Sequence, residues 1–378
     1  MSIFKDAVNK IKANKQIRES GGIIAIPWNL PRLSKVLPGV RKGQFICTTA
    51  GTKESKTQLT DFLFMYQPIE WLLDNRHVDI DLKIKYFSLE LSKEIKMVQA
   101  ISYRLFTKYG ILINPDNLLS VFNEYIVDND IMNIIESDEF QEWFKFFEER
   151  VEFIDSIKHP TGIMINVQSY AEQNGTYEYK YIDWETDGKH EKKKVIDKYI
   201  PNKPNEIVEV IIDHASLLSE KGKSLYECIK SLSSEHCIKM RDLWGYSPIL
   251  VQQQSAESTS QQFTSKGNNI LDKARPTREG LANCKDVGMD VNLMLGIFSP
   301  YKYKEEQYEN WDLTRLRDSH RELSILLNRS GKSNATIQLY FNGACNYFRE
   351  LPHEPDERVY SYVLKNRKLE EYYTMNES

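Results

Sequence analysis

An α/β fold, a mostly parallel sheet with helices on both faces, is what this sequence predicts, and three observations carry the prediction. Apolar runs of strand length recur along the chain and read as near-continuous rather than alternating, the pattern of strands buried on both faces. Helical periodicity fills the stretches between them, the order that favours parallel pairing. One of the runs, "QFICTTA", passes into "GTKESKTQLTDF", a loop that leads to a helix and carries a Lys–Thr pair. The chain has 378 residues, 41% hydrophobic and 28% charged, enough for one large domain or two small ones with a well-buried core.

Taken in order, residues 1–20 read as an amphipathic helix with Phe4, Val8 and Ile11 on one stripe. Gly21 and Gly22 end it, and a connector with Pro27, Pro31 and Pro38 follows. The apolar stripe has nothing of its own to pack on, so the helix should dock on the main body or on a neighbouring subunit. A first strand reaches the loop, and "KTQLTDFLFMYQ" continues as a helix. "IKYFSLELS" is a second strand, followed by the helix "KEIKMVQAISYRLFTKYG". "EIVEVIIDHASLL" is a third and ends on Asp213; "YSPILVQQQS" is a fourth, and "VNLMLGIFSP" and "RELSILLNRS" are two more. Two segments interrupt this rhythm. Residues 115–157 are acidic and helical in pattern, and residues 176–200 alternate Tyr177, Tyr179 and Tyr181 with polar residues, turn at Asp187–Gly188 and return, a hairpin signal. The hairpin's aromatic row is expected to pack on its own domain, base stacking being the alternative.

The net charge of −4 gives no global reason to expect a polyanion partner, though it leaves room for a local basic channel. Five cysteines stand singly, with no metal-ligand or disulfide spacing, which fits a reducing compartment. No apolar run approaches bilayer-spanning length, and no signal-peptide core is present at the N-terminus; a soluble cytoplasmic protein without membrane partners is expected.

A phosphate loop works because backbone N–H groups at a helix N-terminus converge on an anion, a lysine adds charge, and a Ser/Thr hydroxyl meets Mg²⁺. Here Ala50, Gly51, Thr52, Lys53, Glu54 and Ser55 lead to Lys56 and Thr57, with Ser55 where glycine is usual. Read alone, the loop could equally be a helix N-cap followed by ordinary charged residues. Asp213 closes an apolar strand, where a Mg²⁺-ordering carboxylate can sit, or where an aspartate simply caps a turn. Glu90 follows another strand and can activate a water or serve as a first-turn acid. Gln254 can touch a terminal phosphate or be an edge-strand amide.

The series "PGVRKGQFICTTAGTKESKT … YFSLELS … VIIDHASLL … PILVQQQ … RPTREGLANCKDVGMDVN … LLNRSGKSNATIQLYFNG" resembles the RecA-like ATPase domain of DnaB-type replicative hexameric helicases, from about residue 33 to residue 348. The resemblance implies ATP and Mg²⁺ as cofactors, with Lys56 and Thr57 on phosphate and metal and Asp213 on the metal. Glu90 would be the catalytic base, Gln254 the γ-phosphate sensor, and Arg329 the arginine finger inserted into the next subunit's site. It implies a homo-oligomeric ring of six subunits around single-stranded DNA, with a primase or helicase loader as further partners, and host cytoplasm if phage-encoded. The domains become 1–32, linker helix and connector; 33–350, ATPase domain with insertions at 115–157 and 176–200; and 351–378, a C-terminal tail. Departures stand beside this. Leu327 replaces a family lysine, Ala282–Asn283–Cys284–Lys285 replaces an Arg–Glu–Ser–Gly run, and the N-terminal primase-contacting domain is missing. Lys266, Asn283 and Lys285 are the candidate DNA contacts, or solvated loop residues. A RecA/RadA-like recombination ATPase and a non-hydrolysing nucleotide- or DNA-binding partner remain as alternatives.

Overall fold

The computed structural model describes residues 3–186, 189–260 and 271–376. Its strands are β1 (Ile46–Ala50), β2 (Asp81–Ser88), β3 (Val151–Ile154), β4 (Gly175–Thr186), β5 (Lys189–Pro201), β6 (Glu206–Asp213), β7 (Ser247–Gln253), β8 (Leu293–Phe298), β9 (Gln307–Tyr308), β10 (Trp311–Asp312), β11 (His320–Asn328), β12 (Thr336–Asn342) and β13 (Tyr347–Glu350). Nine of them form one sheet in the order β13-β12-β11-β8-β1-β7-β6-β2-β3. From β8 to β3 every pairing is parallel, while β11, β12 and β13 add antiparallel strands beyond β8. β1 is buried throughout, as is β6 beyond its first residue, which accounts for the unbroken apolar runs. Alternate residues supply two core layers: Ile207 and Ile211 face one, Val208, Val210 and Ile212 the other.

The six strands expected from the sequence are present, but "RELSILLN" runs antiparallel. Three sheet strands, β3, β12 and β13, go beyond that expectation. β3 is the end of the acidic segment, which is helical at Pro115–Leu118, Asn129–Ile135 and Asp138–Arg150 before joining β2 as a parallel edge. Four apolar residues directly after a helix carry no period of their own, so they read as its continuation. Phe140, Trp143 and Phe147 of that segment are buried in the main core. Residues 351–376 also do more than trail: the helices Glu357–Leu364 and Glu370–Asn376 bury Val359, Tyr360, Val363 and Tyr372 in a cluster with Trp311 and Tyr347.

The helical run after β1 changes register at Phe62–Tyr66, where it is a π-helix. Pro68 explains the local bonding: in that register the Leu63 carbonyl would face a residue without an N–H, and the Trp28 indole donates to it instead at 2.6 Å. The first helix, Ile3–Glu19, buries none of its residues, and Phe4 and Ile11 stand exposed. Docking on the main body is therefore not seen; Lys10, Asn14 and Ile17 instead line a cleft of about 1210 Å³ with Arg41, Arg241 and Arg329.

β4 and β5 pair along their length as an arm. At its base Tyr177 and Tyr199 pack with Trp244 and Tyr246, as expected for a hairpin held by its domain. Further out the expectation fails. Tyr179, Tyr181 and Trp184 are exposed, with Lys194 and Lys193 over the Tyr179 and Trp184 rings. The Asp187–Gly188 turn lies outside the described residues.

Glu209 of β6 shares the face of Ile207 and Ile211 and is fully buried, and neither carboxyl oxygen has a partner among the described residues. Burial raises its pKa well above the ordinary carboxyl range, so the fold holds it as a neutral acid. The unfolded chain releases that proton above about pH 4.3, so stability falls as pH rises from there, by about 1.4 kcal/mol per pH unit, until the folded-state carboxyl ionises. Glu209→Leu is expected to melt higher than wild type at about pH 7.5 and to lose this slope, read from thermal unfolding at about pH 5.5 and about pH 7.5. A variant with an unchanged slope would contradict the assignment.

Candidate nucleotide-binding site

The parallel strands β1, β7, β6 and β2 end together. In register, Ala50 lies opposite Gln253, Asp213 opposite Val251 and Ser88 opposite Asp213. This is the edge of a parallel sheet where ligands bind, because loops and helix N-termini face the same space. The loop 51–55 rises from β1, and the helix Lys56–Asp61 starts where it ends.

Ser55 has φ 72° and ψ 27°, the left-handed region that favours glycine. A side chain there costs about 1 kcal/mol of backbone strain. Its hydroxyl is engaged in return: the buried Arg321 of β11 donates Nε to Ser55 Oγ at 3.1 Å. Arg321 is itself fixed by the Asp318 carboxylate at 3.0 Å and by the Asp318 and His320 carbonyls. Serine thus keeps the turn that glycine makes easy and adds a tie to the sheet. Gly51 has its own requirement, since a Cβ there would stand 2.6 Å from Glu54 Oε1. Glu54 is buried, and Oε1 accepts from Lys302 at 2.8 Å and from Tyr303 at 2.9 Å. Lys302 also donates to the Thr52 carbonyl at 2.9 Å. Thr52 and Lys53 are exposed, Lys53 with φ 60°.

Thr57 Oγ1 donates to Asp213 Oδ1 at 2.9 Å, so the residue after the loop lysine meets the end of β6. Two hard oxygen ligands at this spacing, beside a helix N-terminus, suit Mg²⁺, and the residues present fit that ion. Lys56 has no hydrogen-bond or ion-pair partner among the described residues, which leaves its ammonium for an anion. Glu90 follows β2 with an exposed side chain, its Oε2 3.7 Å from His214 Nε2. Burial, then the nearby Lys56 charge, hold the His214 pKa below its ordinary value, against Asp213 and Glu90, which raise it. Lys56, Thr57, Asp213 and Glu90 are therefore gathered at one edge.

Gln254 is not at their disposal. Its Nε2 donates to Thr49 Oγ1 at 3.0 Å and to the Thr277 carbonyl at 2.9 Å, and its Oε1 accepts from the Thr277 N–H. The fit is close enough that a Cβ on Gly280 would fall 2.0 Å from Oε1. Gln253 is the glutamine that faces the loop, donating to Thr52 Oγ1. The period of two along β7 was the available signal: Gln252 and Gln254 share the buried side and Gln253 points the other way.

Arg329 lies at the opposite end of the sheet. β11 runs against β8, so Asn328 pairs with Leu293, the first residue of β8, and the Arg329 N–H donates to the Asn292 carbonyl at 2.9 Å. The length of β1 separates it from the loop of its own chain, roughly 20 Å at strand rise. It is exposed, with Nε on the Val291 carbonyl at 2.8 Å. Asn283 and Lys285 are exposed on the segment that follows β7, and Asn283 Nδ2 reaches Ser216 Oγ at 3.5 Å. Lys266 lies outside the described residues. Among the described residues no group of three or more His, Cys, Asp or Glu could hold a metal, and no helix is long and apolar enough to cross a membrane.

These elements define a RecA-like α/β fold with a nucleotide-type loop at the C-terminal edge of its parallel strands. More particularly, the fold is that of the ATPase domain of DnaB-type helicases. The chain is similar to a solved helicase ATPase domain, with TM-score 0.61 and 16% identity over 93% of this chain and 99% of that one. It is similar also to a DnaB-like replicative helicase described with its interactions with primase, with TM-score 0.60 and 17% identity over 93% of this chain and 67% of that one. No protein-family model and no curated protein sequence matches the chain.

Proposed function

We propose that the chain is a DnaB-type helicase motor, a ring-forming, Mg²⁺-dependent ATPase that moves along single-stranded DNA. The Thr57–Asp213 hydrogen bond carries the reading, because it joins the loop to the strand-end carboxylate at the edge where Lys56 and Glu90 also stand. Lys56 and the N–H groups at the start of the helix would hold the phosphates, and Thr57 and Asp213 would hold Mg²⁺, which when bound neutralises charge on the transferring phosphoryl group. Glu90 would take a proton from the attacking water. Gln253, in place of Gln254, would contact the terminal phosphate through the side of the loop it already touches.

Arg329 would act on the next subunit's site, since its own loop lies at the other end of the sheet. The exposed stripe of the first helix would then be covered by a neighbouring ATPase domain in the ring. Asn283 and Lys285, with Lys266, would contact the DNA backbone in the channel, without sequence readout. A primase or a helicase loader would be a further partner, and the cytoplasm the site of action.

The test is steady-state ATP hydrolysis by the purified protein with Mg²⁺, with and without single-stranded DNA. Turnover that DNA stimulates is expected, with strand displacement to follow. Nucleotide bound without turnover in either condition would overturn the motor reading in favour of a non-hydrolysing partner, and Ser55 would be the first residue to change.

A further inference from the structure

Behind the Thr57–Asp213 bond lies a group of charged side chains that the proposed chemistry does not use. Asp61 and Lys96 are fully buried, as is Tyr86 between them. Lys96 Nζ lies 3.0 and 3.2 Å from the two Asp61 oxygens, 2.7 Å from the Tyr86 hydroxyl and 3.5 Å from Asp213 Oδ2. The Tyr86 hydroxyl is 2.6 Å from Asp61 Oδ1 and 3.0 Å from Asp213 Oδ2. One ammonium therefore stands between two carboxylates, closer to Asp61, in a region closed to water.

A buried ion pair of this kind is costly in desolvation, and packing alone would be met as well by apolar side chains. Three elements converge on it: the helix that leaves the loop, strand β2, and the helix Lys93–Tyr109. Its outward face is Asp213 Oδ1, the oxygen that meets Thr57. The charges sum to one negative, from two carboxylates and one ammonium. Because Asp61 takes the shorter contacts with Lys96, that remaining charge falls on Asp213. With Asp61 uncharged, Lys96 would have Asp213 as its only anionic contact in the cluster, and Asp213 would face Thr57 as half of a neutral pair.

We infer that Asp61, Lys96 and Tyr86 are positioning residues for the metal face of the site: Asp61 draws Lys96 away from Asp213 and so preserves the carboxylate charge that a divalent cation meets. The inference rests on the nucleotide-site reading and deepens it. Lys96 and Asp61 never touch the reacting atoms; they act through Asp213.

The experiment is direct binding rather than turnover. Mn²⁺ stands in for Mg²⁺, and its binding to the protein–ADP complex is followed by electron paramagnetic resonance, with ADP affinity in the absence of divalent cation measured in parallel. Asp61→Asn is expected to weaken Mn²⁺ binding about tenfold, as the loss of one nearby unit charge in a partly dry site implies, with metal-free ADP affinity within about twofold of wild type. Tyr86→Phe is the milder change; without the bridging hydroxyl, Lys96 leans on Asp213, and Mn²⁺ binding should weaken about threefold. Asp61→Asn combined with Lys96→Met removes both charges and should return Mn²⁺ affinity close to wild type, a rescue that a merely structural role does not give. If Asp61→Asn fails to fold, Tyr86→Phe and the double variant carry the test. Wild-type Mn²⁺ affinity in Tyr86→Phe and in every folded Asp61 single variant overturns the inference, as does a double variant no better than Asp61→Asn. Wild-type protein that binds no ADP with or without Mn²⁺ overturns the nucleotide-site reading itself, and this inference with it.

Discussion

Glu90→Gln is expected to lower ATP turnover by at least about a hundredfold and to leave nucleotide binding close to wild type, since a positioned general base contributes roughly 10²–10⁴-fold. The side chain is exposed beyond the end of β2, and its nearest charged neighbour is His214, at 3.7 Å. Glutamine keeps its size and its place but cannot accept a proton. Lys56 and Thr57, which would hold the phosphates and the metal, are untouched by the change. Fluorescent ATP binding and steady-state hydrolysis, measured on the same preparation, separate the two properties. Turnover at the wild-type rate would remove Glu90 from the chemistry. A loss of binding along with turnover would make it part of the nucleotide cradle instead.

Arg329→Ala should be as damaging, for a different reason. An arginine finger supplied from a neighbour is worth about 10³–10⁵-fold in turnover. Within its own chain Arg329 only bonds carbonyls at the surface, those of Val291 and Met289. Their loss should cost about 1 kcal/mol and leave the subunit folded. Mixing supplies the decisive comparison. Subunits carrying Arg329→Ala keep an intact loop, and subunits carrying Lys56→Ala keep an intact finger, so mixed assemblies contain some complete interfaces. Hydrolysis is expected to reappear in the mixture, with a maximum at an intermediate ratio. Two inactive populations that stay inactive at every ratio would argue that Arg329 acts only on its own fold.

Much of this architecture is legible in the sequence because a parallel sheet buries both faces of each strand. "FICTTA", "YFSLE" and "EVIID" stand out as apolar runs whose lengths and polar endings are set by that burial. The same logic brings Lys56, Thr57, Asp213 and Glu90 to one edge. The misses have equally physical causes. β3 is too short to display a period after a helix that ends on the same kind of residues. The assignment of Gln254 instead of Gln253 overlooked the alternation that turns every second strand residue inward. The contacts of Lys302 with Thr52 and Glu54, and of Arg321 with Ser55, join residues some 250 positions apart, so no local pattern announces them. Asp61 and Lys96 sit on helices whose apolar stripe they interrupt, and a buried charge pair is hard to see until both helices are in place.

β11 holds two arginines, and they serve its two ends. At the start Arg321 grips the loop serine of its own chain, and at the finish Arg329 stands beyond the opposite edge of the sheet. A strand hydrogen-bonded on both sides is stiff along its axis, so the two guanidiniums are fixed ends of one rod. In a closed ring, that rod would run from each subunit's loop to the site of the next. A shift in the loop as phosphate arrives or departs would then tilt the far arginine without any intervening hinge. Order of firing around such a ring would be a property of the strand's stiffness, not of any flexible messenger.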